Sequence, residues 1–478
     1  MNIFLIGCGG TGMSWLWHMF LDMGYTNIIG VDPQTSDLTE RLRLRWMHHI
    51  TTHGELLPQA GDVVIYSAAA DQAPEVVHAR KEAHHNPKRP TLILNYFGFL
   101  GEISKYFTTI AIAGTHGKST TTAFLGRAMS ETHPLFGCAI LWAWMPARDG
   151  KNSRINPTHL HDMTCIFDHI LGVHNKDRYP LLKRYYFVVE ACEYHQHFLE
   201  LDVDYSIVTN MELDHADVYD DYTAYTTSFA TYVDRVTHTV RMPPASPGFT
   251  DLEHALHHQT LTPVPSRTFS FRSIIGAHNH VNASCALAVL EHLDPTSAHL
   301  TSQTAYTSYH EMLEQFGGLR RRAEILGRTP SWALVVSDYA HHPTELSSSI
   351  AWLREAYPDK RIQYIFQPHQ ARRVLEFWQA FMDVLGDVDD PIIYDIYAAR
   401  EHLTELLRDI HVPDLDTVAK ITDVHQLGQL FAQHAWWTYI ATRDALYTQI
   451  QSYGEDDLVV LFTAGNMDYL VRSSPLFQ

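Results

Sequence analysis

Cysteine is scarce in this sequence, and no motif pairs the few that are present. The five cysteines are scattered along 478 residues, and none of them belongs to a Cys-x-x-Cys pair. An odd number of isolated cysteines argues against a disulfide framework and for reduced thiols. We therefore expect a cytoplasmic protein.

Basic charge and long apolar runs are also lacking. Lys and Arg number 35 against 54 Asp and Glu, which gives a net charge of −19 without any basic run. Nucleic-acid affinity rests on neutralisation of phosphates by Lys and Arg, so we expect no nucleic-acid partner. The partly apolar stretch at 1–20 has no basic start and contains four glycines, so we predict neither an export signal nor a membrane partner.

What is present is typical of a globular enzyme. The composition is 45% hydrophobic and 19% charged, and 478 residues are enough for about three domains of ordinary size. Strand-like and helix-like patterns alternate along the chain, which favours the α/β class.

The clearest motif lies at residues 109–122. An apolar, β-branched run ends at Gly114, and Gly-Lys-Ser at 117–119 leads into a helical pattern, which predicts strand, tight loop and helix. Backbone N–H groups of such a loop face an anion, Lys118 supplies charge to the outer phosphates, and the Ser119 hydroxyl binds Mg²⁺. Only two residues separate Gly114 from Gly117. The pattern is a shortened phosphate loop rather than an ordinary glycine turn.

A second glycine-rich loop follows the first predicted strand. Glycines at 7, 9, 10 and 12 stand between a strand at 2–6 and a helical pattern, and a further strand ends in Asp32. This is close to the dinucleotide-binding fingerprint, which places a diphosphate at a helix N-terminus. Taken alone, the loop favours NAD as its ligand. A dehydrogenase would leave everything after residue 105 unexplained.

Carboxylates follow predicted strands in the middle of the chain. The apolar run at 185–190 ends in Glu190, and the strand at 206–210 leads into an acidic segment that contains His215. Metal ligands for nucleotide phosphates collect at such strand ends. Because Mg²⁺ prefers oxygen, Glu190 is the strongest candidate beside Ser119.

These motifs, in this order, resemble those of the Mur ligases, which use ATP to join amino acids to the carboxylate of a cell-wall precursor. The resemblance covers essentially the whole chain, through segments at 114–119, 189–194, 209–217, 276–282, 316–322, 338–345, 366–373 and 458–466. The segment at 338–345, Asp-Tyr-Ala-His-His-Pro-Thr-Glu, is the most discriminating. It is similar to the branch of the family that adds alanine.

The resemblance implies an α/β fold of three domains. They would be a Rossmann-like UDP-sugar-binding domain at 1–105, a P-loop ATPase-like domain at 106–312 and a Rossmann-like, doubly wound ligase domain at 313–478. The implied reaction joins an amino acid, with L-alanine first among the candidates, to UDP-N-acetylmuramate through an acyl phosphate. The expected cofactors are ATP and Mg²⁺, and the expected assembly is a monomer or weak dimer.

Motif chemistry and resemblance together assign site residues. The predicted ATP site comprises Gly114, Thr115, His116, Gly117, Lys118, Ser119, Thr120, His278, Asn279, Asn282, Arg321, Arg322 and Asp338. The predicted UDP-sugar site comprises Gly9, Gly10, Thr11, Gly12, Asp32 and Ser67. The predicted metal ligands are Ser119, Glu190 and His215.

Catalysis would depend on four residues. Lys118 would act on the phosphate, Arg373 would receive the amino-acid carboxylate, and His341 or His342 would be the base that deprotonates the amine. A helix is predicted from residue 283, so Asn279 alone would serve equally well as its cap.

Two positions depart from the family pattern. Cys192 replaces an acid, so either the second metal position is altered or Glu193 substitutes, and Gln370 replaces the first Arg after Phe-Gln-Pro-His. Two alternatives therefore stay open: a recycling enzyme that attaches a preformed peptide, and a nucleotide-sugar-binding relative that has lost catalysis. Residues 142–183 have no predicted role.

Overall fold

The computed structural model describes residues 1–33, 39, 50–85, 91–140, 153–172, 183–215, 218–271, 274, 276–294, 308–398, 421 and 423–474. The chain divides into two units. The first comprises Met1–Ser273 with His278–Gly317, and the second comprises Ile274–Ala277 with Gly318–Gln478.

The first sheet of the first unit is parallel, with strand order β3-β2-β1-β4-β5. Its strands are β1 (Ile3–Ile6), β2 (Ile28–Val31), β3 (Ile50–Thr51), β4 (Val63–Tyr66) and β5 (Leu92–Asn95). Its helices are α1 (Thr11–Asp22), α2 (Pro74–His85) and α3 (Tyr96–Ser104). Strands β1 and β4 are buried at every residue, as expected for parallel strands covered on both faces. The strand order reverses between β1 and β4, where α/β proteins bind ligands.

The second sheet has the order β12-β11-β10-β6-β9-β7-β8 and is parallel except for β8. Its strands are β6 (Thr108–Ala113), β7 (Phe136–Ile140), β8 (Ser153–Ile155), β9 (Tyr186–Glu190), β10 (Tyr205–Val208), β11 (Thr239–Met242) and β12 (Leu261–Pro263). The helices are α4 (Lys118–Thr132), α5 (Leu160–Ile170), α6 (Tyr222–Val233), α7 (Phe249–Ala255), α8 (Ala277–Leu293) and α9 (Tyr309–Glu314). Because β6 lies between β9 and β10, the segments that follow these three strands meet at one edge.

Part of the segment 142–183, which has no predicted role, connects the first two sheets through side-chain contacts. Of residues 142–183, the structure describes 153–172 and 183, which include β8 and α5. Phe167 of α5 lies edge-on to Phe20 of α1 and Phe99 of α3, with ring centroids 6.2 Å and 6.1 Å away. The Tyr25 hydroxyl donates to Asp168 at 2.6 Å. One hydrophobic core therefore includes residues of both sheets.

The third sheet lies in the second unit, with order β13-β14-β18-β15-β16-β17, parallel except for β13. Its strands are β13 (Glu324–Arg328), β14 (Leu334–Asp338), β15 (Arg361–Gln367), β16 (Ile392–Tyr394), β17 (Thr438–Ile440) and β18 (Asp457–Thr463). The helices are α10 (Pro343–Ala356), α11 (Ala371–Glu376), α12 (Trp378–Gly386), α13 (Val424–His434), α14 (Arg443–Gln451) and α15 (Met467–Arg472).

The three largely parallel sheets with interleaved helices confirm the predicted α/β class. The proposed boundaries at residues 105 and 312 stay predictions, since the first two sheets share one unit whose main division from the second lies near Gly317 and Gly318. Among the described helices, none combines the length and the hydropathy needed to cross a bilayer.

Helix α3 also contacts the kinked 3-10 segment Tyr194–Glu200 that follows β9. The Ser104 hydroxyl accepts a hydrogen bond from Asp202 N at 2.9 Å. A Cβ added to Gly101 would lie only 2.4 Å from the carbonyl oxygen of Glu200, which is a backbone atom. Gly101 therefore sets how closely the first sheet's helix approaches the second sheet.

We expect Gly101→Ala to lower the free energy of unfolding by about 1–3 kcal/mol, because the backbone must shift to admit the methyl group. Urea denaturation of the full chain measures this change. Gly386→Ala is the matched control, since nothing lies within 4 Å of its added Cβ. A Gly101→Ala protein as stable as the wild type would contradict the close packing.

Candidate active site

The phosphate loop joins β6 to α4 through two glycines with positive φ. Gly114 has φ 125° and Gly117 has φ 83°, a region that other residues rarely adopt. Space is also limiting, because an added Cβ would lie 2.1 Å from Thr209 Oγ1 at Gly114 and 2.4 Å from Asn282 Oδ1 at Gly117. Neighbouring atoms therefore leave no space for a side chain at either glycine, as a phosphate-binding loop of backbone amides requires.

The segment after β10 braces this loop. Asn210 accepts from the backbone N–H of His116 at 2.9 Å and donates to its carbonyl at 3.0 Å. The Thr115 hydroxyl donates to the carbonyl of Glu212 at 2.9 Å. Asn210 lies within a motif that the sequence shows, but its bracing role was not predicted because it depends on β10 pairing with β6.

Lys118 forms a buried ion pair with Glu193. Its Nζ lies 2.9 Å and 3.0 Å from the two carboxylate oxygens and donates to the carbonyl of Thr115 at 3.0 Å. The side chains are only 14% and 1% exposed. Burial lowers the pKa of Lys118, but the Glu193 carboxylate outweighs it and leaves this pKa above its ordinary value. Burial raises the pKa of Glu193, but Lys118 and His215 outweigh it, so this pKa is lowered.

The predicted metal ligands lie around this pair. The Ser119 hydroxyl donates to Glu190 Oε1 at 2.9 Å, and both side chains are buried. His215 Nε2 lies 3.6 Å from Glu193 Oε1, and its φ of 59° lies in the left-handed region. Within the described ranges, His, Cys, Asp and Glu form no group of three suited to a metal ion. The three predicted ligands, Ser119, Glu190 and His215, are not a group of this kind, because one of them is a serine hydroxyl.

Cys192 fills the position of the missing acid with a neutral group. Its side chain is buried, and burial, followed by Glu193, raises the pKa of the thiol to about 12. A carboxylate at this position would add a further negative charge to those of Glu190 and Glu193 near Lys118. With a thiol there, Glu193 forms the direct ion pair with the lysine.

Three residues of the predicted ATP site, His278, Asn279 and Asn282, lie at the start of α8. The helix begins at Ala277, so the predicted start at residue 283 was wrong and Asn279 is not a cap. Asn279 and Asn282 are buried, and Asn282 Nδ2 donates to Asn279 Oδ1 at 3.4 Å. Asn282 lies against Gly117, whereas His278 is exposed. The helix thus brings its two asparagines to the phosphate loop.

The first glycine loop joins β1 to α1. The backbone N–H of Gly9 donates to Asp32 Oδ2 at 2.8 Å, and Gly10 N donates to the Gly7 carbonyl at 3.1 Å. Ser67 Oγ lies 2.3 Å from the position of a Cβ on Gly7. Asp32 and Ser67 therefore shape the loop from the ends of β2 and β4. Thr11 begins α1, and its side chain lies outside the described part.

Further along this helix, Gly12 allows an aromatic side chain to approach. A ring carbon of Tyr96 lies 3.3 Å from the position of its added Cβ. The Tyr96 hydroxyl accepts from Trp15 Nε1 at 2.6 Å. Helix α3 therefore begins beside the first glycine loop.

In the second unit, β14 ends in Asp338, whose oxygens accept from Ala323 N and Ala340 N at 2.8 Å each. Burial raises the pKa of this carboxyl more than Arg322 lowers it. His342 caps α10, with Nδ1 accepting from Thr344 N at 3.3 Å. Helix α10 begins at Pro343, a residue that fits the first helical position well.

His341 makes different polar contacts from its neighbour His342. Its Nδ1 lies 2.9 Å from the carbonyl of Tyr339 and 3.1 Å from Glu345 Oε2. Since a carbonyl oxygen only accepts, Nδ1 must carry the hydrogen, which leaves a lone pair on Nε2 of the neutral ring.

Two predicted ATP-site arginines of this unit, Arg321 and Arg322, interact with neighbouring side chains. Arg321 Nε lies 2.9 Å from Asp468, and Arg322 lies over the ring of Tyr339 with Nη1 3.7 Å from Glu345. Burial raises the pKa of Asp468, but Arg321 and Arg472 outweigh it and hold this pKa well below its usual range. Asp468 was not predicted, because its pairing depends on β18 lying next to β14.

His369 lies near Arg321 and Arg373. It belongs to a family motif in the sequence, but no role was predicted for it. Its ring stacks on Tyr397 at 5.6 Å and lies 5.9 Å from that of His341. Burial, followed by the neighbouring His341 and Arg373, lowers the pKa of His369 to about 3. Arg373 itself is buried on α11.

Comparison with protein families gives one matching model. Residues 321–465 match the Mur ligase, glutamate ligase domain. The UDP-N-acetylmuramate–L-alanine ligase of Cytophaga hutchinsonii is 30% identical over 434 residues, which cover 84% of each chain. The enzyme of the same description from Desulfitobacterium hafniense is 27% identical over 500 residues, or 98% of each chain.

Solved structures agree with the observed fold. The UDP-N-acetylmuramate–alanine ligase of Thermotoga maritima has a TM-score of 0.69 at 20% identity and covers 99% of this chain and 97% of its own. A murein peptide ligase from Psychrobacter arcticus has a TM-score of 0.62 at 19% identity, covering 98% and 97%. At these identities the likeness concerns the fold alone.

We expect Glu193→Gln to lower the free energy of unfolding by about 3 kcal/mol near neutral pH, because it leaves a buried ammonium group unpaired. The folded-state pKa of Glu193 is lowered, so its stabilisation is present above the ordinary glutamate pKa of about 4.3 and is lost as the pH falls below it. Urea denaturation between about pH 2.5 and 8 measures both effects.

Glu102→Gln is the control for this variant, since the Lys105–Glu102 pair is exposed and should contribute little. An identical pH dependence in the wild type and Glu193→Gln would contradict the assignment.

Proposed function

We propose that this chain, which belongs to the Mur ligase family, uses ATP to join L-alanine to the carboxylate of UDP-N-acetylmuramate. The observation that carries the proposal is the buried pair of Lys118 and Glu193 at the end of a shortened phosphate loop. The reaction is a step of peptidoglycan precursor synthesis. The proposed division of labour is a UDP-sugar domain at 1–105, an ATP domain at 106–312 and a ligase domain at 313–478.

The first half of the reaction would take place at the phosphate loop. A carboxylate oxygen attacks the γ-phosphorus, the bond to the bridging oxygen of ADP breaks, and an acyl phosphate forms. Lys118 and the loop amides neutralise charge on the transferring group. Activation is needed because a carboxylate by itself is a poor acyl donor to an amine.

Ser119 and Glu190 are the residues that would hold Mg²⁺. Their oxygens are buried 2.9 Å apart, and a hydroxyl with a carboxylate is the ligand chemistry that this ion prefers. When bound, the ion would supply further positive charge to the nucleotide phosphates. His215, beside Glu193, is a third candidate ligand.

The second half of the reaction needs a base for the amine. His341 fits this role because its Nδ1 hydrogen is bound to the Tyr339 carbonyl and its Nε2 lone pair is left to accept a proton. His342 fits it less well, since its Nδ1 lone pair caps α10. The deprotonated amine attacks the acyl carbon, and phosphate leaves with the bonding electrons.

Arg373 is the proposed partner of the amino-acid carboxylate. Gln370 stands beside it where the family has an arginine, and its φ of 70° is unusual for this residue type. Its backbone N–H donates to the Tyr397 carbonyl at 2.9 Å, so the backbone is fixed while the guanidinium is missing. The amino acid therefore has fewer charged anchors than the family pattern provides.

We expect phosphate release from ATP to require UDP-N-acetylmuramate and L-alanine, with a product whose mass rises by one alanyl residue. Glycine, L-serine and a tripeptide are tested separately, and Lys118→Ala serves as an inactive control. Release with the tripeptide alone would favour a peptide-recycling enzyme. ATP binding without release for any acceptor would point to a relative that has lost catalysis.

The two histidines should behave differently when replaced. We expect His341→Asn to lower kcat by roughly 10²–10⁴-fold with little change in the KM for ATP, as for loss of a general base. His342→Asn should stay active, because asparagine is itself a good N-cap. Steady-state kinetics measure both, and the opposite result would assign the base to His342.

A further inference from the structure

A row of rings runs between the surroundings of the two glycine-containing loops. Its members, in spatial order, are Phe97, His197, His195, Tyr194 and His215. Successive ring centroids lie 3.8 Å, 5.9 Å, 4.3 Å and 4.8 Å apart. We call this set the ring row.

The two ends of the ring row lie next to different proposed ligand sites. Phe97 lies 4.9 Å from the ring of Tyr96, which contacts Gly12 of the first loop. At the other end, His215 lies 3.6 Å from Glu193, the partner of Lys118. The row therefore follows the path from the proposed diphosphate site to the proposed phosphoryl-transfer site.

The backbone at the centre of the row is strained. His195 and Gln196 have φ values of 49° and 58°, which non-glycine residues rarely adopt. Gln196 N donates to the Glu193 carbonyl at 2.9 Å and Phe198 N donates to the Cys192 carbonyl at 2.8 Å, so the conformation is well supported. Such strain concentrates at ligand-binding positions. His195 itself is exposed.

His197, next in the row, is a neutral group at physiological pH. Its ring stacks face to face on Phe97, with an interplanar angle of 11°. Burial, followed by His195, lowers the pKa of His197 to about 4. Its Nε2 is buried without a hydrogen-bond partner in the described structure. A neutral imidazole is a better hydrogen-bond partner for hydroxyl and amide groups than for another phosphate.

We propose that His195, positioned by His197, contacts the sugar of the bound nucleotide sugar. This inference rests on the proposed function. If the diphosphate lies at the first glycine loop and the carboxylate reaches Lys118, the ring row places His195 beside the sugar that joins them. The exposed imidazole of His195 offers a hydrogen bond to a hydroxyl or acetamido group and an apolar face to the sugar ring.

The test compares the affinities of UDP and UDP-N-acetylmuramate by titration calorimetry of the full chain. Glycine tolerates positive φ, so His195→Gly removes the side chain without adding strain. We expect the preference of this variant for UDP-N-acetylmuramate over UDP to fall about tenfold, as for one lost hydrogen bond, while its affinity for UDP is unchanged. His197→Leu, which keeps apolar contact with Phe97, should show a smaller loss in the same direction.

Gln196→Gly is the matched control, because Gln196 is also exposed and also has positive φ. It should keep the full preference. A His195→Gly protein that keeps the wild-type preference would overturn the inference while leaving the proposed function intact. A wild-type chain that binds neither ligand would overturn the proposed function and this inference with it.

Discussion

The buried ion pair between Lys118 and Glu193 is the interaction on which the candidate site depends. Burial alone would disfavour the charge on either side chain, so each stays charged because the other is present. Lys118 begins α4 and Glu193 follows β9, so the pair also fastens the loop after β6 to the neighbouring strand. An ATP phosphate that reaches Lys118 would enter a setting that already contains two carboxylates, Glu190 and Glu193. The proposed Mg²⁺ would offset this negative charge.

Parallel sheet geometry explains why these groups meet. The carboxyl ends of parallel strands share one edge, and β6 pairs with both β9 and β10. The phosphate loop, Glu190 and Asn210 follow these three strands and are therefore neighbours although up to 96 positions separate Gly114 from Asn210. The same rule places Asp32 and Ser67 around the first glycine loop in the other sheet of this unit.

Cys192 and Gln370 are the two positions at which the sequence departs from the family pattern. At Cys192 a neutral thiol stands in place of an acid, and the adjacent Glu193 pairs with Lys118. At Gln370 a neutral amide stands in place of a guanidinium, and its backbone N–H donates to the Tyr397 carbonyl. Each position has one charge fewer than the family pattern provides.

Much of the fold could be predicted because it rests on local patterns. Apolar runs and glycine loops before helical patterns indicated β1, β6, β9 and β10. Weakly patterned elements were missed. The edge strand β13 has no buried residue to mark it, and α5 lies in a segment that matched no family motif.

The sequence by itself determined which chemical groups are available: a short phosphate loop, acids after strands, paired histidines and the motif order of a Mur ligase. Only the tertiary structure decided how they are used. It paired Lys118 with Glu193, gave His342 to a helix cap and left His341 with a lone pair on Nε2. The physical reason is that pairing, burial and tautomer depend on neighbours from distant strands, which local sequence patterns do not encode.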